Sequence, residues 1–118
     1  MNKLDITIHK DLGIPTLKLT GRIDTLTEPS FRETLFKTID QHNTSIVLDF
    51  SSISYMSSIG FRTLIMAQKN LSPEGGQLIL SGVSTYVKEV FDISGFTHLF
   101  CFTESNSDAL QYIQQLNK

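Results

Sequence analysis

A chain of 118 residues that is 40% hydrophobic and 19% charged has enough apolar surface for one core and too little charge density for a disordered chain. Its net charge is -2 and its Lys and Arg are scattered rather than gathered into a stripe, which argues against a nucleic-acid partner. No apolar stretch reaches signal-peptide or membrane-spanning length, and the single Cys101 has no mate for an internal disulfide, so the expectation is one domain, 1–118, not inserted in a membrane, in a reducing cytoplasm.

Residues 4 to 10 alternate apolar Leu4, Ile6 and Ile8 with polar Asp5, Thr7 and His9, the period of a half-buried strand. Asp11 to Pro15 carries turn chemistry, and Thr16 to Thr20 alternates again through Leu17 and Leu19 before Gly21, predicting a β-hairpin. Thr27 is placed to cap a helix with Pro29 in its first turn. Phe31, Leu35, Phe36 and Ile39 follow at spacings of three and four, an amphipathic pattern ending near Gln41.

A polar loop, His42 to Thr44, leads to Ser45–Phe50, a short apolar run of the kind that crosses a sheet centre. The segment SSISYMSSIG is poor in helix formers and reads as a loop. Phe61, Leu64, Ile65 and Gln68 then begin a helix that stops before Ser72 and Pro73. Gln77–Leu80 reads as a strand, and Ser84 opens a short helix carrying Val87, Val90 and Phe91 and closed by Gly95. His98–Phe102 reads as the last strand, and Ser105 or Ser107 caps a final helix through Leu110, Ile113 and Leu116. The order ββαβαβαβα implies a mixed sheet, parallel after the hairpin, with helices packed against it.

The informative stretch for function is VLDFSSISYMSSIG, Val47 to Gly60, where a buried strand carries Asp49 and a run of hydroxyls leads to a helix start. Backbone amides at a helix N-terminus are unpaired and the dipole there is positive, so a phosphate on Ser57 or Ser58 is stabilised by the helix itself. That phosphate adds about -1.5 to -2 charges, and beside an Asp49 at the strand end it repels an acidic or apolar partner surface. The plainer reading is that one of these serines simply caps the helix, which contributes about 1 kcal/mol.

Enzymatic constellations are absent from the sequence. His9, His42 and His98 lack metal-ligand spacing, no G-x-S-x-G elbow occurs, Cys101 has no base beside it, and Gly75–Gly76 stands in a turn with Pro73 rather than in a phosphate loop. Neither catalysis nor a bound cofactor or metal is expected.

At Val47–Gly60 the sequence resembles the STAS domain family, specifically the stand-alone anti-sigma factor antagonists of bacteria. These share an acidic strand end, a hydroxyl loop and a Ser-x-Gly helix start. GRIDTLTEPSFRETL, with Asp24 at the matching acidic position, and GVSTYVKEVFDISGFTHLF extend the resemblance over most of the chain. The resemblance implies an α/β STAS fold, a mixed sheet of about five strands opened by a hairpin with about four helices packed against it. Placing Gly60 on the family's motif glycine puts its phosphorylated serine at Ser58, with Ser57 as the alternative.

The resemblance further implies that the unphosphorylated chain binds an anti-sigma serine kinase and releases that kinase's client. The kinase supplies ATP and magnesium, a serine phosphatase resets the switch, and the chain itself is a monomer or weak dimer. Asp24, Asp49, Met56, Ser57, Ser58, Ile59, Gly60 and Phe61 are the expected partner-binding residues. Met56 and Phe61, with Ile59, are read either as an exposed apolar patch around the serine or as core, and core packing is the commoner explanation for such residues. For Asp49 it is either partner contact or bonds to loop amides that fix the hydroxyl segment. The chain departs from the family pattern at Ser57, where aspartate is usual, and at Ile59, where serine or threonine is usual. These departures support a different reading, a non-phosphorylated STAS scaffold or accessory subunit of a transport or lipid-trafficking assembly.

Overall fold

The alternation at the N-terminus closes into a hairpin. In the computed structural model, which describes residues 3–42 and 44–116, β1 (Leu4–Asp11) runs antiparallel to β2 (Ile14–Ile23). The turn is Leu12–Gly13, with φ of 56° and 80°, the two-residue geometry whose twist matches the strands it joins. Leu17 and Leu19 are fully buried while Lys18 and Thr20 are exposed, as a period of two demands.

Helix α1 (Glu28–His42) buries Phe31, Leu35 and Ile39. The chain then enters β3 (Ile46–Met56), the central strand, parallel to β2 on one side and to β4 (Leu78–Ser81) on the other. Helix α2 (Ser58–Leu71) links β3 to β4, and α3 (Thr85–Ser94) links β4 to its parallel neighbour β5 (Cys101–Thr103). Helix α4 (Asn106–Leu116) follows β5. The sheet order is β1-β2-β3-β4-β5, so the mixed α/β sheet with five strands and four helices expected from the sequence is what forms.

Alternation along β3 divides the interior in two. Ile46, Leu48 and Phe50 join the main core with α1, α2 and α3. Val47 faces the other way, into a small cluster with Ile14, Ile79 and the α4 residues Ala109 and Ile113. Three helices therefore cover one face of the sheet and α4 covers part of the other.

Several local expectations need correction. Ser51–Met56, read as loop, is the second half of β3. Two register irregularities, opposite Lys18/Thr20 and Gly21/Arg22, each give β3 one extra residue against β2, as β-bulges do. Phe50, Ile53 and Met56, three residues apart, therefore all reach the main core, and the pattern alternates with neither a strand's period nor a helix's. Helix α2 accordingly starts at Ser58, ahead of Gly60.

The last strand is Cys101–Thr103 rather than 98–102, because Gly95 ends α3 at φ 80° and Thr97–Leu99 forms a 3-10 turn. Ser105 is the residue that caps α4, its Oγ accepting the Asp108 N–H at 3.1 Å. The Thr27 hydroxyl turns away from α1, accepting the Asp24 N–H at 2.9 Å and donating to the Arg22 carbonyl at 2.7 Å. In the expected loop 42–44, His42 closes α1, and Asn43 lies outside the described residues, as do the domain ends 1–2 and 117–118.

Candidate functional site at the start of the second helix

One residue joins β3 to α2. Ser57, extended at φ -83° and ψ 170°, occupies the N-cap position of α2. Its N–H donates to the Ile23 carbonyl at 2.8 Å and its carbonyl accepts the Phe61 N–H at 3.1 Å, so the junction is pinned to the end of β2. Its hydroxyl makes no capping bond, and the oxygen is buried without a hydrogen-bond partner among the described residues. Ser58, the first residue of the helix, is exposed. The two serines, of which the sequence reading favoured Ser58 and kept Ser57 as the alternative, are therefore divided, the Ser57 oxygen buried and Ser58 exposed to solvent. The first turn of α2 holds no acidic side chain, so its unpaired amides and positive dipole end are unopposed where Ser58 stands.

The expected apolar patch around this serine does not form at the surface. Met56 is 3% exposed and Phe61 8%, and the Phe61 ring meets Phe91 edge-on at 5.0 Å and Phe96 at 5.9 Å. Gly60 is buried as well: a Cβ there would stand 2.5 Å from Ile23 Cγ2 and 3.1 Å from Met56 Cγ, so the glycine is what lets α2 approach the end of β2. These three are core residues because β3 must insert and α2 must seal the sheet at the same point. Ile59 is partly exposed and lines a cleft between α1 and α2 with Glu28, Arg32, Arg62, Thr63 and Met66. Exposed apolar surface comes instead from Leu26, 75% exposed in the β2–α1 loop that follows Ile23, a residue sequence reasoning did not select.

Asp24 sits in that same loop and acts first on its shape. Its Oδ1 accepts the N–H groups of Leu26 at 3.0 Å and Thr27 at 3.1 Å, a turn closed by its own side chain. The Arg22 guanidinium lies 3.7 Å from Oδ2 and stacks over the Tyr55 ring, 4.3 Å from its centroid. Burial pushes the Asp24 carboxyl up, but the Thr27 and Leu26 amides, the Thr27 hydroxyl and Arg22 together hold it below the ordinary carboxylate range. Only 8% of the residue is exposed, so Asp24 shapes the loop beside the Ser57–Ser58 junction more than it offers a free charge.

Asp49 is not at a strand end and not beside the serines. Met56 lies seven positions further along β3, roughly 20 Å of strand, so a phosphate on Ser58 would not feel its charge. Its Oδ1 accepts the Ser51 hydroxyl at 2.6 Å and the Ser51 N–H at 3.0 Å. Its Oδ2 accepts the Asn106 amide at 3.0 Å, with Lys18 Nζ at 3.8 Å. Asn106 in turn accepts from the Ser81 hydroxyl, so the carboxylate ties β2, β3 and β4 to the start of α4. Burial raises the Asp49 pKa, and Ser51, Asn106 and Lys18 outweigh it and hold it low. Of its two expected roles, the geometry matches the structural one.

Two further residues were not selected from the sequence. Glu28 is 3% exposed in the first turn of α1, its Oε2 accepting the Thr63 hydroxyl at 2.5 Å and facing Arg32 Nε at 3.2 Å. That pair spans 35 positions, and no local pattern announces it. Arg62 stands exposed one helical turn after Ser58, a spacing that was readable. Among the described residues no group of three or more His, Cys, Asp or Glu is placed to hold a metal ion, and no helix is long and apolar enough to cross a membrane.

A mixed five-stranded sheet, with helices on both faces and an exposed hydroxyl at the start of the helix after its central strand, defines a small α/β domain built to present that junction. The STAS domain model matches residues 5–109, and the chain belongs to the STAS domain family. It is 29% identical over 106 residues to a Bordetella bronchiseptica protein described as an anti-sigma factor antagonist, BtrV, covering 90% of this chain and 91% of that one. The fold is shared with an anti-sigma factor antagonist from Mycobacterium paratuberculosis at a TM-score of 0.86, with 18% identity over 96% of each chain. It is shared also with the Bacillus protein SpoIIAA in its unphosphorylated form, at a TM-score of 0.81 and 21% identity over 94% of this chain and 97% of that one.

Proposed function

We propose that this chain is an anti-sigma factor antagonist whose binding is switched by phosphorylation of Ser58. In its unphosphorylated form it binds an anti-sigma serine kinase in the cytoplasm and frees that kinase's client. Transfer of the γ-phosphoryl group from ATP to the Ser58 hydroxyl, with magnesium held by the kinase, ends the complex, and a serine phosphatase restores the hydroxyl. In this reading the chain is ligand and substrate, with no catalysis of its own.

The observation that carries the proposal is the division between the two serines. Ser58 is exposed at the first position of α2, where helix amides and dipole favour an anion, while the Ser57 oxygen is buried. A phosphate at Ser58 places about -1.5 to -2 charges on the surface a partner must cover. The names of the relatives support the antagonist role, and SpoIIAA, which shares the fold, has been solved in both unphosphorylated and phosphorylated forms.

Incubation with the kinase and ATP, followed by intact-mass and peptide mass spectrometry, tests the assignment. One phosphate is expected, on the peptide containing Ser58, absent from Ser58→Ala and retained in Ser57→Ala. An unchanged mass, or modification that survives Ser58→Ala, removes Ser58 from the mechanism. The second reading, a constitutive STAS scaffold in a transport or lipid-trafficking assembly, is favoured by Ser57 and Ile59 standing where the family pattern has an acid and a hydroxyl. Its mark is an unmodified chain that co-purifies with transporter subunits.

A further inference from the structure

We infer that Arg62 is a positioning residue for a phosphate on Ser58, an intramolecular counter-ion that holds the modified serine against the first turn of α2. The inference rests on the Ser58 reading above and assigns a residue to the phosphorylated state of that site. Ser58 and Arg62 are four positions apart in α2 and both are exposed, so their side chains are neighbours on one helix face, with Cβ atoms about 5–6 Å apart. Side chains on a helix lean toward its N-terminus. A long side chain at Arg62 therefore covers the turn on which Ser58 stands.

The guanidinium is also uncommitted. Glu28, the acid of the adjoining cleft, already faces Arg32 Nε at 3.2 Å and accepts the Thr63 hydroxyl at 2.5 Å. Among the described residues Arg62 forms no ion pair. With no acidic side chain in the first turn of α2, a phosphate on Ser58 would meet no competing carboxylate on its own turn. Guanidinium and phosphate match as a bidentate, charge-assisted pair. The pair would draw the phosphate over α2, so that a partner meets an ordered dianion rather than a mobile one.

The test uses the full chain with phosphoserine introduced at position 58 during translation, so its outcome does not depend on any kinase. Phosphorus NMR titration reads the second ionisation of the phosphate, ordinarily near pH 6. The expected midpoint in the wild-type chain is about 0.3 lower than in Arg62→Gln, the size of an exposed i,i+4 ion pair, and Arg62→Lys recovers most of the difference. Equal midpoints in the wild-type and Arg62→Gln chains overturn the inference. So does a loss of melting temperature in unphosphorylated Arg62→Gln as large as that in the phosphorylated variant, which would make Arg62 a structural residue. Failure of the kinase assay leaves this readout intact, so the two assignments fail separately.

Discussion

Strand β3 carries a carboxylate with both oxygens occupied, and the junction that follows it carries a hydroxyl left free. At Asp49 two serine bonds, an amide and a lysine converge on one buried side chain. At Ser57–Ser58 no side-chain hydrogen bond reaches either hydroxyl among the described residues, and backbone bonds pin the junction. Both regions are polar interruptions of an apolar stretch, and the sequence reading places Asp49 and both serines among the partner-binding residues. The difference teaches that a polar group satisfied by the chain itself serves the fold, whereas one that stands exposed and unpartnered on a junction held by the backbone is available to another molecule.

That contrast can be broken most forcefully at Asp49. Asp49→Ala strands Asn106, the Ser51 groups and Lys18, with an expected cost of about 3 kcal/mol in denaturant unfolding. The pH dependence sharpens the point. The folded carboxyl of Asp49 is held low, so the stability it contributes is complete above its unfolded value of about 3.9 and is lost as pH falls through the lower folded value. Asp49→Asn should flatten the acid limb of a stability-against-pH curve in part only, since Asp24 is shifted in the same direction. An unchanged acid limb would show that the carboxylate is not held as described.

At the other end of the segment the backbone does the holding, and Gly60→Ala attacks it directly. A Cβ 2.5 Å from a methyl of the β-branched Ile23 forces α2 away from β2 at an expected cost of about 2 kcal/mol, measurable as a lower melting temperature. A smaller effect separates two N-cap serines. Ser84 accepts the Val87 N–H at 3.2 Å and caps α3, so Ser84→Ala should cost about 1 kcal/mol. Ser57 makes no such bond, so Ser57→Ala should stay within about 0.5 kcal/mol of wild type. Equal losses at the two serines would mean that Ser57 does cap α2 in solution.

Most elements were legible because periodicity reports burial directly: Leu17 and Leu19 alternate, and Phe31, Leu35 and Ile39 recur at helical spacing. The second half of β3 was not, because two bulges place Phe50, Ile53 and Met56 on one face at a spacing of three. Taking that half for a loop also misplaced the site. It put Asp49 at a strand end and left Met56 and Phe61 free to be surface residues. The bond from Asn106 to Asp49 crosses 57 positions, and no local pattern encodes it. The candidate serine was nevertheless in view, because a serine pair ahead of a glycine at a helix start is a local signal. Which of the two faces solvent depends on how the end of β2 receives the junction, and only the fold decides that.

The central claim is that charge at Ser58 governs partner binding, and calorimetric titration tests it most directly. The chain with serine at 58 and the chain with translated phosphoserine at 58 are each titrated into the kinase that modifies it. The serine form should bind at least about tenfold more tightly, a difference of about 1.4 kcal/mol or more. Equal affinities for the two forms would contradict the account.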